Sequence, residues 1–337
     1  MTRRLARNIC MLLCLVLAVV ALVMPANAAL CDHEYVNTVC TKCGKIGGEC
    51  GGELTWAFVP EEGLLRISGS GTMTNYTKDF PAPWKPYRSQ IKEVLVGGSV
   101  KSLGAYAFSE CTQLVTINIP NAVSNIYTST FEKCYSLETF ELDKKPNYSL
   151  DEKGVLYNKK YTYLIALPGT FQGECYIPDT VINVGPNAAG NPFRFIKGVT
   201  KIVVDENNTT FSSTEEGLLF DKEQTQLIAV PRAYAGQCTI PATVTSYDSS
   251  AFTDCATLTG IHVEEGNTTY ASTPSGLLCT NGGSTIKLCP AGFTGVCEIP
   301  ANISDYDPGG FSQCVGLTKF QVDPGNATYS SDEAGAL

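Results

Sequence analysis

Residues 100–142 carry one pattern twice, and a period that short limits the fold before any other feature is read. VKSLGAYAFSECTQLVTINIP sets small or apolar side chains at Val100, Leu103, Ala107, Phe108, Cys111, Leu114, Ile117 and Ile119. The next 23 residues repeat it as Val123, Ile126, Thr130, Phe131, Cys134, Leu137, Phe140 and Leu142. One such unit is too small to enclose a core, so its apolar side has to be covered by the units before and after it.

Beyond residue 142 the period lengthens. Gly154, Gly217, Gly276 and Gly335 recur, each six residues after an aromatic: Tyr148, Phe211, Tyr270 and Tyr329. A hairpin-like stretch follows the glycine, as in GLLFDKEQTQLIAVP from Gly217 to Pro231, and then a strand ending in Ile-Pro. The turn around Ala107-Phe108 returns at Ala251-Phe252 and Gly310-Phe311, and it is expected to lapse at 188–195 (AAGNPFRF), where only fragments of it remain. Gly335-Ala336-Leu337 stands where earlier units open a hairpin, so the array is expected to be truncated there.

The flanking segments read differently. Arg3, Arg4 and Arg7 precede an apolar run from Ile9 to Met24, and Ala26-Asn27-Ala28 is a small-x-small cleavage pattern, so residues 1–28 read as a secretory signal peptide. The mature chain would then carry no membrane span and would be secreted, extracellular or held at the cell surface. Residues 29–50 form a short Cys/His segment. Residues 51–98 read as a β-rich N-terminal cap: ELTWAFV, a turn at Pro60-Glu61-Glu62-Gly63, LLRISG, and a loop with Pro81, Pro83, Trp84, Pro86 and Tyr87. The array proper spans 99–337.

Charge excludes some partners. The chain has 24 Lys and Arg against 33 Asp and Glu, a net charge of −9; loss of three signal-peptide arginines and no acid makes it −12. Such a chain is not expected to seek nucleic acid or anionic lipid.

Fifteen cysteines in a secreted chain suggest disulfides, but their positions argue otherwise. Cys111, Cys134, Cys255 and Cys314 share one slot of the repeat, and Cys175, Cys238 and Cys297 share another, two residues before Ile-Pro. A residue recurring at one slot reads as a small buried hydrophobe. Cys279 and Cys289 replace Phe220 and Val230 of the preceding unit together. With the turn at 281–284, Cys279 should face Ile286, an offset that does not favour a Cys279–Cys289 bridge. Cys31, His33, Cys40 and Cys43 supply three thiolates and one imidazole, a tetrahedral zinc set in kind and number. Disulfides in an oxidising compartment, with Cys50 included, are the competing reading. Either role is structural, and no other cofactor is required.

The signature V-x2-I/L-x3-AF-x2-C-x2-L-x2-I-x-IP resembles the leucine-rich repeats of BspA-like bacterial surface proteins, and the CGGELTWAF…GLLRISGSGTM…PW…Y…IKEVLV run is similar to the lead-in that often precedes them. The resemblance covers about residues 49–337. It implies a right-handed β-solenoid of the leucine-rich-repeat, α/β-horseshoe class, β-rich with short helical or 3-10 turns, and extracellular proteins associated with adhesion. The family has no general catalytic set to carry over.

The residues themselves point the same way. The chain has two histidines, His33 and His262, neither in a nucleophile context, and no phosphate-binding or dinucleotide motif. Neighbouring acids such as Glu215-Glu216 and Glu264-Glu265 point to opposite faces of a strand and make poor acid–base couples. Asn208, Asn267 and Asn326 head N-x-S/T sequons at one repeat slot, which suggests turn chemistry, with glycans an option in a eukaryotic source. What remains is the outward side of the strands: Glu93 and Leu95, Thr116 and Asn118, Thr139 and Glu141, Lys201 and Val203, Gly260 and His262, Lys319 and Gln321. This polar ladder is expected to form one continuous face for an extracellular protein or glycan. The alternative is a non-catalytic targeting region of a larger secreted enzyme or wall-anchored protein whose functional domain lies beyond Leu337.

Overall fold

The computed structural model describes residues 35–36, 38–42, 44–144, 146–185 and 191–336. The signal-peptide reading of 1–28 lies outside them. The chain divides into two units at Gly48/Glu49. In the first, Tyr35–Val36 pairs antiparallel with Val39–Cys40, and Val39 pairs with Ile46. The Gly44 amide donates to the Cys40 carbonyl at 2.8 Å, and Gly44 adopts φ +72.

The second unit is a β-solenoid. Glu53–Val59 and Leu64–Thr72 form an antiparallel pair around the turn at 60–63. Leu64–Ile67 then runs parallel to Glu93–Val96, followed by Thr116–Ile119 and Thr139–Leu142. A second parallel ladder links Gly71 and Thr72 to Val100–Leu103 and that strand to Asn125–Ile126. Among the described residues the only helical segments are 3-10 turns at Lys85–Tyr87, Thr128–Phe131 and Pro192–Phe195. None is long and apolar enough to cross a membrane.

The repeat slots form the core as their spacing requires. Ala107, Phe108, Cys111, Leu114, Ile117 and Ile119 are buried, as are Thr130, Phe131, Cys134, Leu137 and Phe140. Trp84, Phe108 and Phe131 stack in a column at 5.9 and 6.0 Å, and Phe140 meets Phe131 edge-on at 5.2 Å. Thr130 fills an alanine slot without leaving its hydroxyl unpaired, because Oγ1 donates to the Gly104 carbonyl at 3.1 Å.

The turn at 188–195 requires a correction. Residues 186–190 lie outside the described set, but Phe193, Ile196, Val199 and Ile202 are buried at the spacing of Phe252, Cys255, Leu258 and Ile261. The coil keeps its register. Pro192-Phe193 stands for Ala-Phe and Ile196 for the cysteine, so it is the identity of the fillers that changes and not the geometry.

Each long unit adds a three-stranded antiparallel excursion. Tyr148–Leu150, Leu156–Asn158 and Tyr163–Ala166 form the first, and Asn183–Val184 pairs parallel with its last strand. Phe211–Ser213, Leu219–Asp221 and Gln226–Ala229 repeat it, as do Tyr270–Ser272, Leu278–Thr280 and Thr285–Leu288. All three break register at the same point of the middle strand. Cys279 faces Ile286 as its spacing predicts, and Cys279 and Cys289 are both free, buried thiols. The recurring glycine turns the first strand of each excursion into the second and sits in the left-handed region (φ +77 at Gly154, +89 at Gly217, +84 at Gly276), which excludes most other residues. At Gly217 a Cβ would also stand 2.9 Å from the Lys201 Cα.

Candidate binding face of the solenoid

The outward strand residues come together, but not as one continuous ladder. In the first four parallel strands Glu93 pairs with Thr116, Thr116 with Thr139 and Asn118 with Glu141. Further along, the strands pair only in twos: Gln172–Ile177 with Gly198–Val204, Gly236–Ile240 with Leu258–Val263, and Thr294–Ile299 with Gly316–Val322. The reason is the excursion that follows each pair. The Ile202 amide donates to the Gly217 carbonyl at 3.0 Å, and the Val204 amide to the Ser213 hydroxyl at 3.0 Å, so the outer strand edge is already occupied. Ile261 with Gly276 and Val263 with Ser272 repeat the closure, as do Phe320 with Gly335 and Val322 with Ser331. An edge capped this way cannot accept another strand.

A side chain beside each glycine then reaches the next strand. Glu216 accepts from the Thr239 amide at 3.1 Å and from its hydroxyl at 3.2 Å. Lys153 Nζ donates to the Glu174 carbonyl at 2.6 Å, and Ser275 Oγ to the Glu298 carbonyl at 3.4 Å. Glu216 is therefore a structural bridge.

The predicted residues differ in availability. Thr139, Glu141, His262 and Gln321 are exposed; Glu93, Leu95, Thr116, Lys201, Val203 and Lys319 are half-buried; Gly260 is buried. Asn118 is committed internally. Its Oδ1 accepts from the Val96 amide at 2.6 Å and its Nδ2 donates to the Val96 carbonyl at 2.9 Å, so it splints two strands and has little left to offer a ligand. The Lys319 ammonium donates to the Glu333 carbonyl at 3.1 Å.

The Ile-Pro strands contribute face residues absent from the predicted set. Glu174 and Tyr176 stand beside Lys201 and Val203, Gln237 and Thr239 beside Gly260 and His262, Val296 and Glu298 beside Lys319 and Gln321. Tyr176 is 49% exposed, so the face holds an aromatic that the ladder from Glu93 to Gln321 lacks. Its hydroxyl donates to Asp205, which holds that carboxyl below the usual range and raises the tyrosine. The signal was in the sequence: alternation back from Ile177-Pro178 puts Tyr176 and Glu174 outward.

Four of the slot thiols are poorly suited to act as nucleophiles. Burial pushes Cys111, Cys175, Cys238 and Cys255 up to about 12, so they stay protonated at neutral pH. Cys31, His33 and Cys43 lie outside the described residues. Cys40 is buried in its strand, and among the described residues no group of three or more His, Cys, Asp or Glu side chains is placed to hold a metal.

A β-solenoid with short repeats, buried slot cysteines and a polar outward strand face defines a repeat scaffold of the leucine-rich type. Residues 87–172 and 234–274 match the BspA type leucine rich repeat region in six copies. It is similar to the solved structure of a leucine-rich repeat protein from Eubacterium ventriosum, at 20% identity over 82% of this chain and 72% of that one, with a TM-score of 0.49. It is also similar to the pneumococcal vaccine antigen PcpA, at 14% identity over 84% and 83%, TM-score 0.43. A leucine rich cell surface protein from Faecalibacterium prausnitzii gives 14% identity over 84% and 98%, TM-score 0.35. No curated protein matches the chain.

Proposed function

We propose that this chain is a secreted or surface-displayed, non-catalytic scaffold that recognises an extracellular protein or glycan through its outward strand face. The observation that carries the reading is the in-register juxtaposition of Glu174 and Tyr176 with Lys201 and Val203, repeated at Thr239/His262 and Glu298/Gln321. Polar groups of both signs, an exposed tyrosine and aliphatic patches such as Val296 suit recognition by many weak contacts rather than enclosure of a small molecule. The signal-peptide pattern and the family's association with bacterial surface proteins support display outside the cell.

The test is a panel of purified matrix proteins and glycans immobilised against the chain from residue 29 onward. The reading expects saturable binding to at least one member and no chemical change in any. Absence of binding across the panel, or turnover of a polysaccharide or peptide, would contradict it.

A further inference from the structure

The proline- and aromatic-rich loop at 77–88 is not required by the repeat, and it builds a second site on a different part of the molecule from the strand face. A groove of about 280 Å³ lies between this loop and the first Ala-Phe turn. Its floor is Pro81, Ala82, Ala107 and the edge of Trp84, whose indole nitrogen donates to the Ala107 carbonyl at 2.7 Å. Trp84 also stacks on Phe108, so the floor is anchored to the core and does not collapse into the opening.

Three cations line the groove, Lys78, Lys85 and Arg88, against one carboxylate, Glu110. Glu110 is already shared: Arg88 reaches it at 2.6 Å and Lys133 at 3.4 Å. Among the described residues no carboxylate pairs with Lys78 or Lys85, and Asp79 does not face the groove. In a chain of net charge −9 this is a local reversal of sign. By contrast, a hollow of about 330 Å³ at 271–303 has no charged side chain on its wall.

Tyr106, on the rim, sits at φ +55. That left-handed backbone is costly for a bulky residue, and neither Ser129 nor Ser250, which precede the same turn in other coils, adopts it. Phe80 stands outside the groove, its ring stacked on Tyr76 at 6.3 Å. The groove is walled by loop and turn residues and offers no open strand edge, so it does not invite a peptide by strand addition.

We infer that this groove binds a carboxylate-bearing saccharide, the acid group taken by Arg88 and the lysine ammoniums and the ring laid against Tyr106. Guanidinium and carboxylate match in bidentate geometry. A flat aromatic face covers the apolar side of a sugar ring at little entropic cost, because it loses few rotamers.

The experiment is calorimetric titration of the full chain with trigalacturonic acid, its neutral galactose counterpart and hexaglutamate. Trigalacturonate should bind with a Kd of about 1 mM or tighter. The affinity should fall at least about tenfold in Lys78→Glu/Lys85→Glu, whose thermal midpoint should match the parent's because both sites are on the surface. Tyr106→Asn, which tolerates the left-handed backbone, should weaken the sugar without altering its salt dependence. Equal binding of the neutral trisaccharide, tighter binding of hexaglutamate, no binding of trigalacturonate at 10 mM or about ten times that Kd, or an unchanged affinity in the charge-reversed variant would overturn the assignment.

Discussion

The Asn267 amide nitrogen stands 2.9 Å from the Val244 carbonyl, 23 residues earlier, and so ties one coil to the one before it. The same nitrogen donates to the Pro241 carbonyl at 3.1 Å, while Oδ1 accepts from the Thr269 and Tyr270 amides. Asn208 makes the same four bonds to Pro178, Val181, Thr210 and Phe211, and Asn326 to Pro300, Ile303, Thr328 and Tyr329. The three sequon asparagines are turn residues, as their shared slot suggests.

Removing one of these amides leaves two carbonyls and two amides without their partner. Asn267→Ala should therefore cost roughly 2–4 kcal/mol. Asn267→Asp should cost a similar amount, because it keeps the acceptor but loses the donor and brings a charge into a nearly buried site. Chemical denaturation of both variants checks this; a midpoint unchanged in either would mean the ladder does not hold the coils together.

Phe108 lies between Trp84 and Phe131 in the aromatic column and is fully buried. Phe108→Ala should cost about 3–5 kcal/mol as a cavity mutation. Phe193→Ala should cost a comparable amount, because the coil at 191–202 keeps the same register. If Phe193→Ala leaves the melting temperature where it was, that coil is not stacked as described.

The slot thiols predict a pH dependence. A thiol ordinarily ionises near 9.0, and burial raises Cys111, Cys175, Cys238, Cys255 and Cys297 to about 12. Below pH 9 both folded and unfolded chains keep these protons, so the thiols leave stability flat. From about 9 to 12 the unfolded chain sheds protons that the folded chain retains, and stability falls, by about 1.4 kcal/mol per pH unit for each thiol fully ionised only when unfolded. The denaturation midpoint should drop between pH 8.5 and pH 10.5, and the thiols of the native array should resist a thiol reagent at pH 8. Rapid labelling at pH 8, or a midpoint that does not move, would contradict their burial.

Much of this was legible in the sequence because the repeat slots are filled by side chains whose burial is forced. Phe108, Cys111, Leu114 and Ile117 could be placed in the core from spacing alone. The coil at 191–202 was not legible, since Ile196 and Pro192-Phe193 satisfy the geometry with different residues. The broken ladder was hidden for another reason. Closure of the Ile202 and Val204 edge depends on the Gly217 carbonyl and the Ser213 hydroxyl, which are groups brought back by a hairpin, and no local pattern announces them. Asn118 likewise reads as a surface polar residue until its two bonds to Val96 are seen.

For residues 29–50 the proposal is one structural zinc held by Cys31, His33, Cys40 and Cys43. Metal analysis of the secreted chain should return about one zinc per molecule, and chelation should release thiols to titration. A metal-free chain with none of these thiols titratable would assign the segment to disulfides.

The central claim is that the outward strand face does the binding. The direct measurement is the affinity of the double variant Glu141→Lys/Lys201→Glu for whichever matrix protein or glycan the parent chain binds, with the thermal midpoint followed alongside. Both side chains lie on the face, Glu141 beside Asn118 and Lys201 beside Glu174, and neither belongs to the core. The account predicts a weaker complex with a folding change under about 0.5 kcal/mol. An unchanged affinity in a correctly folded double variant would contradict it and move recognition to the hairpins or to the groove at Arg88.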